Sequence, residues 1–146
     1  MSGEAHVRVR VVRPGGRLPY RASAQASGFD LYACLEDGEI ALGQAPVVIP
    51  TGIALEVPQG FDAQIRPRSG LARLGVLSTF GTLDADYRGE LMVTMYTVSP
   101  GIAHTVHHGD RIAQLVIARL ADAWFEEVDE LSDTERGAAG HGSTGR

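Results

Sequence analysis

Short runs that alternate apolar and polar residues dominate the chain. Residues 7–11 alternate apolar and charged side chains, which is the period-two pattern of a half-buried strand. Pro- and Gly-containing turns separate the further strand candidates, which are residues 29–33, 39–42, 47–49, 53–57, 61–65, 91–98, 111–120 and 124–128. Only residues 69–74 have a helical pattern. Many short strands at close spacing predict an all-β barrel, sandwich or jelly roll.

The composition changes near residue 129. Residues 129–136 are mostly polar, and residues 137–146 are nearly all small. Such a segment cannot bury enough apolar surface to order itself. We therefore predict a β domain over residues 1–128 and a flexible C-terminal arm over residues 129–146. The alternative is an arm that closes over a ligand, because glycines let backbone N–H groups come close to phosphate.

Length, charge and cysteine content limit the class of function. The 146 residues fit one domain, and the net charge of −5 argues against broad binding to nucleic acid. A single cysteine excludes an intrachain disulfide. His107 and His108 would point to opposite faces of an alternating strand, which disfavours a shared zinc site. With no leader-like or membrane-length apolar run, we expect a cytoplasmic protein without a membrane partner.

The segment from Gly81 to Glu90 has the richest candidate chemistry. It contains two carboxylates, a tyrosine and two glycines between apolar segments. Asp84 and Asp86 could be turn residues, because aspartate side chains bond to nearby backbone in turns. A carboxylate held beside water could instead act as a general base. The residues themselves leave both interpretations open.

Three other segments carry polar side chains at unusual places. Arg68, Ser69 and Gly70 begin the short helix, where free N–H groups favour an anion, although Ser69 could simply be an N-cap. Gln114 is an amide among aliphatic residues, and it either bonds to a strand edge or donates to a phosphate oxygen. Asp30 lies inside an apolar strand, so it must be paired or hydrogen-bonded, and we favour a structural role over a catalytic one.

Taken in order, five segments resemble the five motifs of the trimeric all-β dUTPases. They are residues 26–33, 67–72, 81–90, 109–116 and 136–145. The resemblance implies a distorted jelly-roll β-barrel with one short helix, assembled as a homotrimer with a flexible C-terminal tail. One chain would supply the third motif of each active site, another the phosphate-binding motifs, and the third its tail.

The activity that this resemblance implies is hydrolysis of dUTP to dUMP and pyrophosphate, with Mg²⁺ bound to the triphosphate. This reaction limits uracil in DNA and supplies dUMP for dTMP synthesis. Asp84 matches the aspartate that activates water, and Tyr87 matches the tyrosine whose ring excludes a 2′-hydroxyl. Asp30 would affect the metal only indirectly. Uracil and deoxyribose would contact Ser78, Gly81, Thr82, Asp84, Tyr87, Met92 and His141. The phosphates would contact Arg68, Ser69, Gly70, Gln114, Arg136, Gly142, Ser143 and Thr144.

Three positions depart from the family pattern. His141 stands where phenylalanine usually stacks on uracil, Ser78 stands where asparagine is common, and Phe80 stands where smaller residues are common.

Two rival interpretations are a dCTP deaminase and a nonenzymatic nucleotide-binding trimer. The resemblance implies that dCTP deaminases need a glutamate in the third motif and lack the Gly-rich tail, whereas this chain has Asp84 and the tail. The same two features disfavour the nonenzymatic alternative.

Overall fold

The computed structural model describes residues 3–140 and 142. Within them the chain forms ten strands and one short helix, and no helix there is long and apolar enough to cross a membrane. The elements are β1 (Arg8–Val11), β2 (Phe29–Tyr32), β3 (Glu39–Leu42), β4 (Val47–Glu56), β5 (Phe61–Arg66), α1 (Ser69–Arg73), β6 (Val76–Ser78), β7 (Gly81–Leu83), β8 (Glu90–Thr97), β9 (His104–His107) and β10 (Arg111–Arg119).

The strands form antiparallel sheets around one apolar core. The first sheet has the order β1-β4-β8-β6, the second has the order β2-β10-β5-β7, and β3 pairs with β9. Along β8, buried residues alternate with more exposed ones, as a strand with one face on the core requires. Fully buried core side chains include Leu31, Ile49, Ile53, Leu91, Met95 and Ile112. The prediction of an all-β fold with one short helix is confirmed, and the arrangement fits a jelly roll.

The predicted break at residues 50–52 is a bulge inside one long strand. Residues 47–49 and 53–57 were expected to be separate strands, but β4 runs through Val47–Glu56. Its register to β8 moves from Pro50↔Met92 to Ala54↔Glu90, so β4 carries two extra residues. Gly52 lies there with φ 75°. The Pro and Gly signals therefore mark a bulge, which both residue types also favour, and not a turn.

The predicted last strand, residues 124–128, is wrong. No strand forms there, and Trp124 and Phe125 are almost fully exposed. β10 ends at Arg119, after which Leu120 N–H donates to Gly60 O at 2.9 Å. Apolar residues can form a strand only beside a neighbour that accepts their ladder hydrogen bonds, and this segment has left the sheet.

Candidate active site

Three of the predicted segments meet at one end of the β2-β10-β5-β7 sheet. Asp30 lies opposite Gln114, and Gln114 lies opposite Arg66 on its other side. Arg68 follows two residues later, and its Nε lies 3.5 Å from Asp30 Oδ1. Arg111 Nη1 lies 3.9 Å from Asp30 Oδ2. The sheet register thus collects two guanidinium groups, one carboxylate and one amide, and we call this group the phosphate cluster.

Gln114 is held in this cluster by two contacts. Its Nε2 donates to Pro67 O at 2.9 Å. Gly28 packs against the same amide so closely that an added Cβ would overlap Gln114 Oε1. A glutamine amide has two N–H donors, so the bond to Pro67 leaves one for a ligand. The amide therefore bonds to backbone just beyond the end of β5, and its second N–H remains available to a phosphate oxygen.

The start of α1 is arranged differently from a conventional cap. Arg68 is the N-cap, with φ −89° and ψ 132°, and no side chain caps the helix. The expectation that Ser69 is the N-cap is therefore wrong. Arg68 Nη1 donates to Arg111 O at 3.3 Å, while Ser69 and Gly70 are exposed.

The β6–β7 hairpin carries the predicted uracil contacts. Ser78 ends β6 and is only 4% exposed, and its Oγ has no hydrogen-bond partner among the described residues. Thr79 and exposed Phe80 make the connection, and β7 begins at Gly81. Buried hydroxyls normally have a partner. The orphan Ser78 hydroxyl therefore marks the hairpin as a place where a ligand could complete the hydrogen bonding.

The turn after β7 presents Asp84 and Tyr87. Asp84 is exposed, and its backbone carbonyl accepts from Tyr87 N–H at 3.1 Å. The Tyr87 hydroxyl donates to Glu90 O at 2.9 Å, and its ring remains 47% exposed. A Cβ at Gly89 would overlap the Tyr87 ring, so only glycine allows this packing. Both ends of the Tyr87 side chain are thus fixed while one face of the turn stays open.

The predicted site residues near this turn are arranged around β7 and β8. Thr82 is exposed on β7, opposite Gln64 of β5. Met92 is exposed on β8, opposite Pro50. We call Ser78, Gly81, Thr82, Asp84, Tyr87 and Met92 the hairpin cluster.

Asp84 and the phosphate cluster lie toward opposite ends of β5, whereas Gly81 of the hairpin cluster pairs with Ile65, next to Arg66. Leu83, just before Asp84, pairs with Ala63. Arg68 is five residues beyond Ala63, which is about 15 Å of extended chain at the usual strand rise. Among the described residues, the Arg68 side chain bonds to Asp30 and to Arg111 O, and no contact with Asp84 is seen.

The structure describes residues 129–140 and Gly142 of the predicted arm. Residues 118–139 are exposed throughout. Arg136 Nε donates to Ala139 O at 2.5 Å, and Gly137 N–H donates to Thr134 Oγ1 at 3.0 Å, so this part of the arm forms a local turn. Gly142 is exposed with φ 80°. The other predicted arm contacts, His141, Ser143 and Thr144, lie outside the described residues.

Metal-ligating side chains are not grouped in residues 3–140 or at residue 142. That part of the chain has no set of three or more His, Cys, Asp or Glu that could hold a metal ion. His107 instead lies 3.1 Å from Glu39 and 3.7 Å from Asp110, and His108 Nδ1 accepts from Leu35 N–H.

The structure is an all-β fold with two arginines, a carboxylate and an amide at one sheet end and an exposed carboxylate in the β7–β8 turn. The dUTPase family model matches residues 16–145. The deoxyuridine 5′-triphosphate nucleotidohydrolase of Cytophaga hutchinsonii is 46% identical over 142 residues, covering 94% of this chain and 92% of that protein. The enzyme of the same name from Bdellovibrio bacteriovorus is 48% identical over 134 residues, covering 90% and 89%. The chain belongs to the dUTPase family.

Solved structures of phage dUTPases have the same fold. A point mutant of the Staphylococcus bacteriophage 80alpha dUTPase, solved with dUpNHpp, has a TM-score of 0.82 at 24% identity, over 97% of this chain and 99% of that one. A mutant dUTPase from phage phi11 of S. aureus, described with a structural Mg(II) ion, has a TM-score of 0.76 at 22% identity, over 86% and 97%.

Proposed function

We propose that this chain is a dUTP diphosphatase, which hydrolyses dUTP to dUMP and pyrophosphate. Family membership gives the reaction class. The observation that carries the proposal is the turn that exposes Asp84 beside a Tyr87 ring fixed at both ends. In this proposal the Asp84 carboxylate is the general base, and the Tyr87 ring is the surface on which the sugar lies. In the cell the reaction would limit uracil in DNA and supply dUMP for dTMP synthesis.

Asp84 acts as the base in this proposal. Water is a poor nucleophile near neutral pH, so a carboxylate that accepts its proton lowers the barrier. The water oxygen forms a bond to the α-phosphorus, and the proton of the water passes to Asp84. The bond between the α-phosphorus and the α–β bridging oxygen breaks. Pyrophosphate leaves with the electron pair of the broken bond.

The hairpin cluster selects the nucleoside. The ring of Tyr87 under the deoxyribose leaves no room for a 2′-hydroxyl, and Met92 lies on the adjacent strand. Ser78, Gly81 and Thr82 read uracil with backbone groups and the orphan Ser78 hydroxyl. Cytosine reverses a donor and an acceptor on its edge, which would leave buried polar groups unpaired and so reduce its reactivity strongly.

The phosphate cluster holds the triphosphate. Arg68 offers a planar, always-charged fork, and Ser69, Gly70 and Gln114 add neutral donors. Asp30 orients Arg68 through the 3.5 Å contact. The arm closes over the phosphates and supplies Arg136, Gly142, Ser143 and Thr144, and His141 stacks on the base.

Mg²⁺ fits this site as an ion bound mainly by phosphate oxygens and water. The described residues offer no dedicated cage of acidic ligands, and Mg²⁺ usually keeps several waters and binds substrate phosphates. Asp30 is the carboxylate of the phosphate cluster. Because both of its oxygens already contact arginines, we assign it an indirect role on the metal through water. When bound, the ion would neutralise charge on the triphosphate.

The active enzyme in this proposal is a homotrimer. The distance between Asp84 and Arg68 along β5 supports it, because a second copy would have to supply one of the two groups. The third copy contributes its arm, residues 129–146. The single, free cysteine supports a reducing, cytoplasmic setting.

Pyrophosphate release from dUTP, UTP, dCTP and dTTP, each with and without Mg²⁺, tests the function. We expect fast release from dUTP with Mg²⁺ and little from the other three. Release from several nucleotides would contradict the nucleoside selection assigned to the hairpin cluster. Ammonia from dCTP with no pyrophosphate would replace the proposal with the deaminase reaction.

A further inference from the structure

A second charged group lies behind the hairpin cluster, on the β1-β4-β8 sheet. Arg13 Nε lies 2.9 Å from Glu90 Oε1 and 2.8 Å from Oε2. Gly52 N–H donates to Glu90 Oε2 at 2.9 Å. The Glu90 side chain is only 14% exposed, so it needs these donors. The hydrogen bond to Glu90 also raises the pKa of Arg13. We call Arg13, Gly52 and Glu90 the clamp.

The bulge in β4 explains why a backbone donor is available to Glu90. The two extra residues of β4 take Gly52 out of the ladder with β8. Gly52 O accepts from Val12 N–H at 2.8 Å, and a Cβ at Gly52 would lie 2.8 Å from Cys34 Sγ. With its positive φ, this position requires glycine both for its backbone and for its neighbours.

The clamp is joined directly to Tyr87. The carbonyl of Glu90 accepts from the Tyr87 hydroxyl at 2.9 Å. At the next residue, Leu91 O accepts from the buried Thr51 Oγ1 at 2.6 Å. β4 therefore fixes residue 90 through its side chain and residue 91 through its carbonyl. The Tyr87 ring is attached to the backbone that these bonds hold in place.

We propose that Glu90 and Arg13 are positioning residues for Tyr87 and set how strictly the site rejects a 2′-hydroxyl. Neither residue contacts the substrate in this account. The inference rests on the proposed function, in which the Tyr87 ring fills the space under the deoxyribose. A loosened Glu90 backbone lets the ring move, and the space that excludes UTP opens. Arg13 lies 77 positions from Glu90 and outside the five family segments.

The test is the ratio of kcat/KM for dUTP to kcat/KM for UTP. Glu90→Ala removes the acceptor of both Arg13 and Gly52, and we expect the ratio to fall by about tenfold, the effect of one lost charge-assisted hydrogen bond. Glu90→Gln keeps an oxygen for Gly52 N–H and should retain most of the discrimination. Arg13→Ala should lie between the two.

Arg8→Ala is the matched control. Arg8 begins β1, the strand that precedes Arg13 in the chain. Like Arg13 it pairs with a glutamate, because its Nη1 lies 3.1 Å from Glu56 Oε2, and its side chain is 73% exposed. Glu56 also lies 3.6 Å from Arg88 Nε in the Tyr87 turn, but Arg8→Ala leaves that contact in place, so the dUTP-to-UTP ratio should not change.

The outcomes separate this inference from the proposed function. A wild-type protein that does not hydrolyse dUTP contradicts the proposed function. A wild-type protein that discriminates, with clamp variants of unchanged ratio, overturns the positioning role. An equal loss on both nucleotides also overturns it, because that is a general structural defect. If Glu90→Ala does not fold, Arg13→Ala decides, since that side chain is 44% exposed and its removal leaves the Gly52–Glu90 bond.

Discussion

The two ends of β5 are organised by different kinds of contact. At the phosphate cluster, side chains hold side chains: Asp30 lies between Arg68 and Arg111, and the Gln114 amide bonds to Pro67 O. At the hairpin cluster, backbone carbonyls hold the turn, and the Asp84 carboxylate is exposed. The first end suits a polyanion, and the second suits a sugar and a water molecule. Each end is ordered within one chain, but hydrolysis of a nucleoside triphosphate needs both.

Asp84→Asn tests the chemistry of the hairpin end with the largest expected effect. The amide cannot accept a proton from water, so turnover should fall by roughly 10²–10⁴. Binding of dUTP, measured by calorimetry, should be largely kept because the phosphate cluster is intact. Asp86→Asn, in the same exposed turn, is the control and should retain activity. Near-normal turnover of Asp84→Asn would remove Asp84 from the role of base.

Removing residues 134–146 tests whether the two ends suffice without the arm. We expect a loss of about 10² or more in kcat, because a poorly enclosed triphosphate is misplaced relative to the base. The described contacts of Arg136 and Thr134 are within the arm, so the β domain should stay folded by circular dichroism. Full activity of the truncated protein would contradict closure by the arm.

Gly28→Ala disturbs the phosphate end alone. The added Cβ would overlap Gln114 Oε1 and displace the amide. We expect KM for dUTP to rise by about tenfold, the effect of one lost hydrogen bond to a charged group, with a smaller change in kcat. Gly43→Ala is the control, since nothing lies within 4 Å of a Cβ there. An unchanged KM would show that Gln114 does not bind phosphate.

Changes at His141 test how the arm reaches the hairpin end. A stacked ring on uracil is worth about 1 kcal/mol or more, so His141→Ala should lower kcat/KM by about fivefold. His141→Phe should keep the activity of the wild type. Equal rates for the alanine variant and the wild type would refute stacking.

The smallest effect is expected at Cys34, which is buried beside Pro14 and Gly52. Burial raises the pKa of its thiol above the ordinary value of 9.0, and Sγ donates to Pro14 O at 3.3 Å. The folded state favours the neutral thiol, so this contribution to stability is complete below pH 9 and is lost as the pH rises through the folded-state pKa. Alkylation by iodoacetamide at pH 8 should be slow in native protein and fast in urea. Equal rates in both would contradict this burial.

Local alternation predicted most of the strands, and the exceptions have physical reasons. β3 has the predicted bounds because its pattern is undisturbed by neighbours. β6 and β7 were not predicted, since three residues hold too few alternations to signal a strand, and β9 was not predicted because its four residues include one apolar side chain between polar ones. β4 was predicted as two strands because Pro50 and Gly52 are typical of a turn and equally typical of a bulge. Residues 124–128 have strand-forming side chains but no adjacent strand.

The candidate site could be predicted residue by residue but not in its arrangement. Asp30, Arg68 and Gln114 are far apart in sequence, and only the register of β2, β10 and β5 brings them together. No sequence pattern marked Arg13 as a site residue, because its partner Glu90 lies 77 positions away in the chain. The separation of Asp84 from Arg68 also follows from the pairing of β7 with β5, which no local pattern encodes.

Subunit complementation tests most directly whether one site uses both ends of β5 from different chains. Asp84→Asn and Arg68→Ala should each be nearly inactive alone. Co-expressed with different affinity tags, they form mixed trimers in which an Arg68→Ala chain supplies Asp84 to an Asp84→Asn chain that supplies Arg68. Random assembly gives this pairing at about a quarter of all sites and at about a third of the sites in purified mixed trimers, which exclude both homotrimers, so the account predicts recovery of about a third of wild-type turnover. No recovery in purified mixed trimers would contradict the shared site.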